Sequence, residues 1–548
     1  MIAGIKKIII LTDRKIFRGG LSRLYLRCMK SHGEQIYNIK SLIGRRFHSW
    51  RVVKEGSLSV RDIILAQYYN NDFSHYKYED LAVRYMAIEN YYGKYEDNRG
   101  FELYQKLQEH SGFNWTDRYK NLIASYAEGY DEGSKIELDK DLNIMDGAHR
   151  LALALYHNQE FINVTIHSGL RNREYGDVDA FWKLGFSRDE TAVIEKKTEE
   201  LLESLHYSYI GVIWPPAMKY KDEIIDDLNR YDPQIKVSNV RDMECERGEF
   251  VHLFKGLYHT DILDDYGANR KINLIEESMT DEEKKKPYHI CVFELNISNP
   301  HIGINPKNYQ TQSLIVKRIK TTFRKRYAPK ILNYKYDVMM HISDNYIQSK
   351  FCQLLLNMNR DVSDFFDEIN DVPYVIIRAK ESRQHSEFPK KFYFRSDVDI
   401  ITRNAGDMLK IADSAYRFAQ KHFTEDWISL KTIEDKEVVK VKVYMLDFMV
   451  FQFEILQHIF GLDDDFRDEC FKHRIKDSYY YLPDSDEVMI RVVELCHKPK
   501  KTWYLQYITE HFSELDQDKL YAHLNKKEIK KQKVEKLIHS IASQQEKL

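Results

Sequence analysis

Residues 394–401 read FRSDVDII, and the spacing of the two acids within them decides how the last third of the chain is read. Val and Ile alternate with Asp397 and Asp399, which predicts a strand with both carboxylates on one face. Like charges placed that way repel unless a cation lies between them, so the pattern points to a divalent metal. Working outward, PYVIIRA at 373–379 predicts a second strand. On the other side VVKVKVYMLDFMVF at 438–451 predicts one long strand interrupted by Asp447. An isolated acid in such a run is expensive to bury. Asp447 is therefore expected to complete a three-carboxylate Mg²⁺ site able to hold a nucleoside triphosphate, ATP or CTP. Arg378 and Lys380 stand where a cation would meet phosphate, and His497 and Lys498 follow a YLP turn that could bring them to the same cleft.

A second pattern lies nearer the front. KIELD at 135–139 and LNIM at 142–145 have strand character, Asp146-Gly147 is a turn, AHRLALALYHN has helical propensity, and FINVTIH at 161–167 alternates as a strand. Gly147 permits close backbone approach, and a helix starting near Ala148 directs N–H groups and a positive dipole end outward. That arrangement suits an anion. His149 and Arg150 fall in the first turn, where an Arg fork clamps phosphate, and Asp146 is expected to cap the helix. Arg118 is a further phosphate candidate. An acid that removes a hydroxyl proton is also needed, and Asp62, Glu79, Asp80 and Asp131 all qualify.

The rest of the chain sets the frame. At about 150 residues per domain, 548 residues predict three or four compact units. The net charge of −2 demands no global polyanionic partner. The six cysteines form no CxxC or zinc-type cluster, which suits a reducing, cytoplasmic setting, and the apolar run at 8–11 is far too short for a signal core or membrane span. Residues 1–56 form a basic arm, with thirteen Lys/Arg against three acids. It suits an anionic membrane face, making the protein peripheral to the inner membrane, or a polyanion, or equally an acidic neighbour. Residues 57–168 are the first α/β unit and 169–205 a helical connector. A central α/β unit spans 206–360, with strands expected in YIGVIW, HICVFEL and YDVMMHI and helices in FKGLYHTDILDDY and SLIVKRIKTTFRKRY. Its basic run, Lys317, Arg318, Lys320, Arg324, Lys325 and Arg326, reads either as a solvated face or as a phosphate contact near His341 and Asp344. Residues 361–524 form the third unit and 525–548 a Lys-rich helical tail.

Two resemblances follow from these motifs. With FRSDVDII, VPYVIIRAKES and YYYLPDSDEVMIRVVELCHKPK, residues 361–500 resemble the DNA polymerase β-type nucleotidyltransferase superfamily, in particular the nucleotidyltransferase-like proteins of bacterial capsule and surface-polysaccharide clusters. The resemblance implies that Asp397, Asp399 and Asp447 are catalytic and hold magnesium, and that Ser396, in the Arg395-Ser396 pair standing where Gly-Ser is usual, meets the nucleotide. The DGAHR segment makes residues 57–168 similar to the ParB/sulfiredoxin fold. Ala148 stands where sulfiredoxins carry cysteine, which leaves the ParB-like kinase branch. That branch implies phosphate binding by Asp146, Gly147, His149 and Arg150 and a small hydroxyl acceptor. The expectation is an α/β and α+β multidomain transferase of surface-polysaccharide biosynthesis. Its kinase-like site would act on a hydroxyl compound and its Mg²⁺-dependent site would transfer a nucleotidyl or phosphoryl group to a hydroxyl or phosphorylated acceptor. The alternatives are a nucleotide-switched, partition-type DNA-binding protein and a toxin-type nucleotidyltransferase.

Overall fold

The computed structural model describes residues 52–69, 80–108, 115–129, 134–168, 178–245, 247–261, 263–284, 286–335, 338–358, 361–377, 397–425, 427–476, 479–498 and 503–545. Nearly all of the basic arm, together with Glu79, Asp131, Arg378, Lys380, Arg395 and Ser396, lies outside the described residues. The architecture is mixed α/β, with separate sheets in successive parts of the chain. Among the described residues no helix is long and apolar enough to cross a membrane.

The first sheet has the order β1-β4-β2-β3, from β1 (Val52–Ser59), β2 (Ile136–Leu138), β3 (Ile144–Asp146) and β4 (Phe161–His167). β2 runs parallel to β4, and the other pairs are antiparallel. The strands and helix expected around DGAHR are therefore present, with the helix at Ala148–Tyr156. Helices Val60–Tyr69 and Asp80–Tyr91 bury Ile63, Ile64, Leu81 and Ile88 in the same core. The expected connector contains the helix Arg188–Leu205, which starts at a Ser187/Glu190 capping box. It is no free linker. Its Ile194, Leu201 and Leu202 belong to the first core, and its buried Lys197 reaches Glu89 at 2.7 Å.

The central sheet, β10-β5-β7-β6, is wholly antiparallel, from β5 (Tyr209–Ile213), β6 (Ile235–Cys245), β7 (Tyr288–Ile297) and β10 (Met340–Ile342). A small hairpin, β8 (Ile302–Ile304) and β9 (Thr311–Ser313), stands beside it. The three expected central strands are β5, β7 and β10. FKGLYHTDILDDY, however, is not one helix. The helix Arg247–Leu257 ends first, and the next begins at Asp265, where the Asp264 carboxylate accepts the Gly267 N–H at 2.8 Å.

The third sheet has seven strands in the order β13-β14-β15-β12-β11-β17-β16. They are β11 (Tyr374–Ile377), β12 (Asp397–Thr402), β13 (Ile428–Glu434), β14 (Val438–Met445), β15 (Phe448–Leu456), β16 (Ile475–Lys476) and β17 (Tyr480–Tyr481). The long strand expected at 438–451 is instead a hairpin, β14 turning into β15 with Met445 opposite Phe448. Helix Ala405–His422 covers one face of the sheet. Helices Asp464–His473 and Asp484–His497 cover the other. The core under the Ala405 helix runs without a break into the central unit, joining Val398 and Phe453 to Val212 and Phe254, so the expected boundary at 360 crosses a shared core.

The Lys-rich tail also packs. Helix Lys531–Gln545 buries Val534, Ile538 and Ile541 against the second core of the third unit while its lysines face outward. Truncation of Ile538 to Ala is expected to cost about 2–4 kcal/mol in a denaturant titration, and Lys536→Ala less than about 0.5. Equal effects would show that the tail does not pack.

Candidate functional site

The front site is assembled from four segments. β3 ends at Asp146, and Gly147 turns the chain with φ +99°, in the left-handed region. A Cβ at Gly147 would lie 2.1 Å from Ile136 Cγ2 on β2, so no other residue fits the turn. The Asp146 carboxylate accepts the Gly147 N–H at 2.9 Å. Gly147, not Asp146, is thus the N-cap, and no side chain caps the helix, which carries no acid in its first turn. The expected Asp146 cap is corrected accordingly: the side chain folds back on its own turn.

His149 Nε2 lies 2.8 Å from the Tyr104 hydroxyl, and the Tyr119 ring packs edge-on at 4.7 Å. Burial, then the neighbouring Arg84, Arg118 and Arg150 guanidinium groups, hold the imidazole pKa well below its usual value. The ring is therefore neutral at pH 7, and the three cations beside it make a positive corner in which Arg84 alone is offset, by Asp80. Arg150 Nη1 donates to the Lys135 carbonyl at 3.1 Å, and Arg118 stacks over Trp115 at 5.1 Å. Arg84, which the sequence reading missed, comes from the helix Asp80–Tyr91 and is almost fully buried. Nothing local marked it, because its role depends on that helix packing against the Ala148 helix.

The same helix sorts the candidate acids. Asp80 pairs with Arg84 at 2.7 Å, and its Oδ1 is buried with no hydrogen-bond partner. Asp62 lies elsewhere, fully buried, accepting from the Tyr207 hydroxyl at 2.7 Å, Thr311 Oγ1 at 2.6 Å and the Tyr346 N–H at 3.3 Å. Burial raises its pKa, opposed by those hydrogen bonds. Asp62 ties the first unit to the central one and has no path to a substrate hydroxyl.

In the third unit Val398 and Ile400 enter the core beneath the Ala405 helix, so Asp397 and Asp399 point to the opposite face. β15 runs parallel to β12, pairing Asp397 with Gln452 and Asp399 with Glu454. β14 then sets Lys442 opposite Gln452 and Lys440 opposite Glu454, with a 2.8 Å Lys440–Glu454 ion pair. One face thus carries Asp397, fully buried Asp399, Glu454 and two lysines.

Asp447 does not join them. It sits in the β14–β15 turn beside Leu446, φ +53°, five residues before Gln452 on β15. At ~3.3 Å per residue that is roughly 17 Å from the level of Asp397, beyond the reach of a shared ion. The turn is how the chain avoids burying this acid inside a strand. Its neighbour Phe448 packs against Phe351, His252 and His259 of the central unit, and the Asp447 charge acts on His259. The position expected for Asp447 is held by Glu454, which the notion of one continuous strand hid.

Other expectations fall differently. His497 is exposed and packs on Phe460 at 4.1 Å, and exposed Lys498 ends its helix. In the basic run Lys320 and Arg324 donate to the carbonyls of Ile342 and Met340 on the edge strand β10. Arg326 pairs with Asp227 at 2.5 Å, whereas Lys317, Arg318 and Lys325 are exposed. Among the described residues the one trio whose ligand atoms all lie within 4.8 Å is Asp484, His511 and Glu514, which the sequence reading did not single out. In it His511 Nδ1 meets Glu514 Oε1 at 2.9 Å and Asp484 accepts from the Tyr507 hydroxyl at 3.0 Å, so the geometry is accounted for by internal hydrogen bonds. Compared with known proteins, the chain matches no family model and no curated protein.

The neutral His149 has a pH consequence. Its folded pKa lies below the unfolded value near 6.5, so the unfolded chain binds the proton first. Its contribution to stability is level above about pH 6.5 and falls by up to ~1.4 kcal/mol for each pH unit below, until the folded pKa is reached. Denaturation midpoints compared between pH 7.5 and 5.5 are expected to fall less for His149→Gln than for the wild type; an equal fall would mean that the ring is not held neutral.

Proposed function

We propose that the chain is a bifunctional phosphate-transfer enzyme with a kinase-like front site and a nucleotidyl or phosphoryl transferase in its last third, serving bacterial surface-polysaccharide assembly. The observation that carries this reading is the β12–β15 register, which lines up Asp399 with Glu454 and Asp397 one step away on the same face. The pathway rests on resemblance alone; the phosphate chemistry rests on residues.

At the front site Arg84, Arg118 and Arg150 bind the phosphate tail of ATP or CTP, and the Gly147 turn admits it close to the backbone. Tyr104 orients the neutral His149, which leaves the arginine charge uncompensated by a carboxylate on that ring. Asp80 is the acid best placed to take the acceptor hydroxyl's proton as that oxygen bonds to phosphorus and the nucleoside diphosphate departs. In the last third Asp397, Asp399 and Glu454 share one face of the sheet and are hard oxygen donors of the kind magnesium prefers, although their carboxylates do not all lie within 4.8 Å of one another and would have to draw together to share an ion. When bound, magnesium neutralises triphosphate charge and aligns it for in-line displacement. Lys442, on the same face, adds positive charge to a site whose sequence lacks the Gly-Ser pair, and Lys440 fixes the Glu454 carboxylate.

The full chain, incubated with Mg²⁺, ATP or CTP and a panel of amino acids, polyols and sugar phosphates, is expected to release a nucleoside diphosphate from one site and pyrophosphate from the other. Arg150→Ala should lower diphosphate release, and Asp399→Asn or Glu454→Gln pyrophosphate release, each by about 10²-fold or more. Asp447→Asn should change neither. Wild-type turnover in the first three variants would refute the assignment.

A further inference from the structure

A cavity of about 370 Å³ opens on the central sheet, away from both phosphate sites, between β5, β6, β7 and the helix Tyr346–Asn357. That volume is at the small end for metabolite pockets. Two opposite charges line it, Arg241 from β6 and Glu294 from β7, yet they form no ion pair with each other within 4.0 Å.

Arg241 faces the cavity because of a bulge. Ser238 pairs with Glu294 and Arg241 with Val292, so Asn239 and Val240 together oppose Phe293. In a regular strand residues three apart face opposite sides. The extra residue, taken up by Asn239 at φ +49°, puts Ser238 and Arg241 on the same face. Asparagine is among the few residues besides glycine that take this conformation readily, so the bulge is held without strain. The guanidinium is then steadied from behind: its Nη2 donates to Asn357 Oδ1 at 2.7 Å and to the Leu356 carbonyl at 3.4 Å. Nη1 and Nε remain for a ligand.

Glu294 is half-buried, and its carboxylate makes no hydrogen bond or ion pair with any described residue. A carboxylate shielded in this way, without a cationic partner, calls for one. Gln353 adds an amide, and Ile210, Val292 and Leu356 supply an apolar wall. The cavity therefore offers a fork for a carboxylate, an unmatched carboxylate for an ammonium, and an apolar surface for a short side chain.

We propose that this cavity binds a free α-amino acid, with Arg241 on its carboxylate, Glu294 on its ammonium group and the apolar wall on its side chain. The proposal does not depend on the phosphate-transfer reading. Calorimetric titration of the full chain with glycine, L-alanine and L-leucine is expected to show saturable binding. Propionate and ethylamine each lack one charge of L-alanine and should bind at least about tenfold more weakly. Arg241→Gln and Glu294→Gln should each weaken L-alanine by at least about tenfold, Glu294→Gln at an unchanged thermal midpoint because its carboxylate holds no ion pair or hydrogen bond in the fold, and Arg241→Gln with the chain still folded despite the loss of its bonds to Leu356 and Asn357. Three outcomes would overturn the proposal: no saturable binding of any of the three amino acids, propionate binding as tightly as L-alanine, or undiminished binding in either variant.

Discussion

Parallel pairing of β12 with β15 is the constraint on which the last third of the molecule depends. Parallel neighbours cannot be joined by a tight turn, so the chain must leave β12, cross the sheet as the Ala405–His422 helix and return through the β13–β14 hairpin. That excursion carries out three tasks together. It buries the inner faces of β12 and β15 under the helix, directs Asp397 and Asp399 to the other face, and brings Glu454 alongside them. Asp399 is fully buried in this row, and Lys440 pairs with Glu454 beside it.

The three units are held together by a seam that uses polar as well as apolar groups. Asp62 draws Tyr207, Thr311 and the Tyr346 backbone to one buried carboxylate. Nearby, Glu160 pairs with Lys350, which lies over the Trp427 ring, and Trp427 in turn packs on Phe161. Where the β14–β15 hairpin meets the central helices, Gly256 leaves room for Leu355 and Phe448: a Cβ there would lie 2.5 and 3.0 Å from them. The two candidate sites therefore sit on bodies that share core and hydrogen bonds, and relative motion of the first unit would have to uncover a buried carboxylate.

At the front site the cations outnumber the acid paired with them, Asp80 offsetting Arg84. Three guanidinium groups come within range of a single imidazole, and the ring responds by staying neutral while Tyr104 holds it. Arg84, Arg118 and Arg150 arise from three different helices, so the positive corner exists only when these are packed. At the Gly147 turn both the φ and the contact with Ile136 require the missing side chain.

The amino-acid order alone was sufficient for features that depend on neighbours in sequence. The strand–turn–helix–strand run at 135–167, the same-face disposition of Asp397 and Asp399, and the strands β5, β7, β10 and β11 follow from periodicity of two or of 3.6 and from turn residues. Features that depend on which strand lies beside which were decided only by tertiary structure. Along the chain Asp447 alone stood out as a third acid, and only the hairpin at Leu446 and the β12 register put Glu454 beside Asp399 instead, because a carboxylate's partners are set by distance across the sheet. Arg84 and the Arg241–Glu294 cavity were invisible for the same reason: the first needs two helices to pack, and the second needs one extra residue in β6 to turn an arginine toward a glutamate on the next strand.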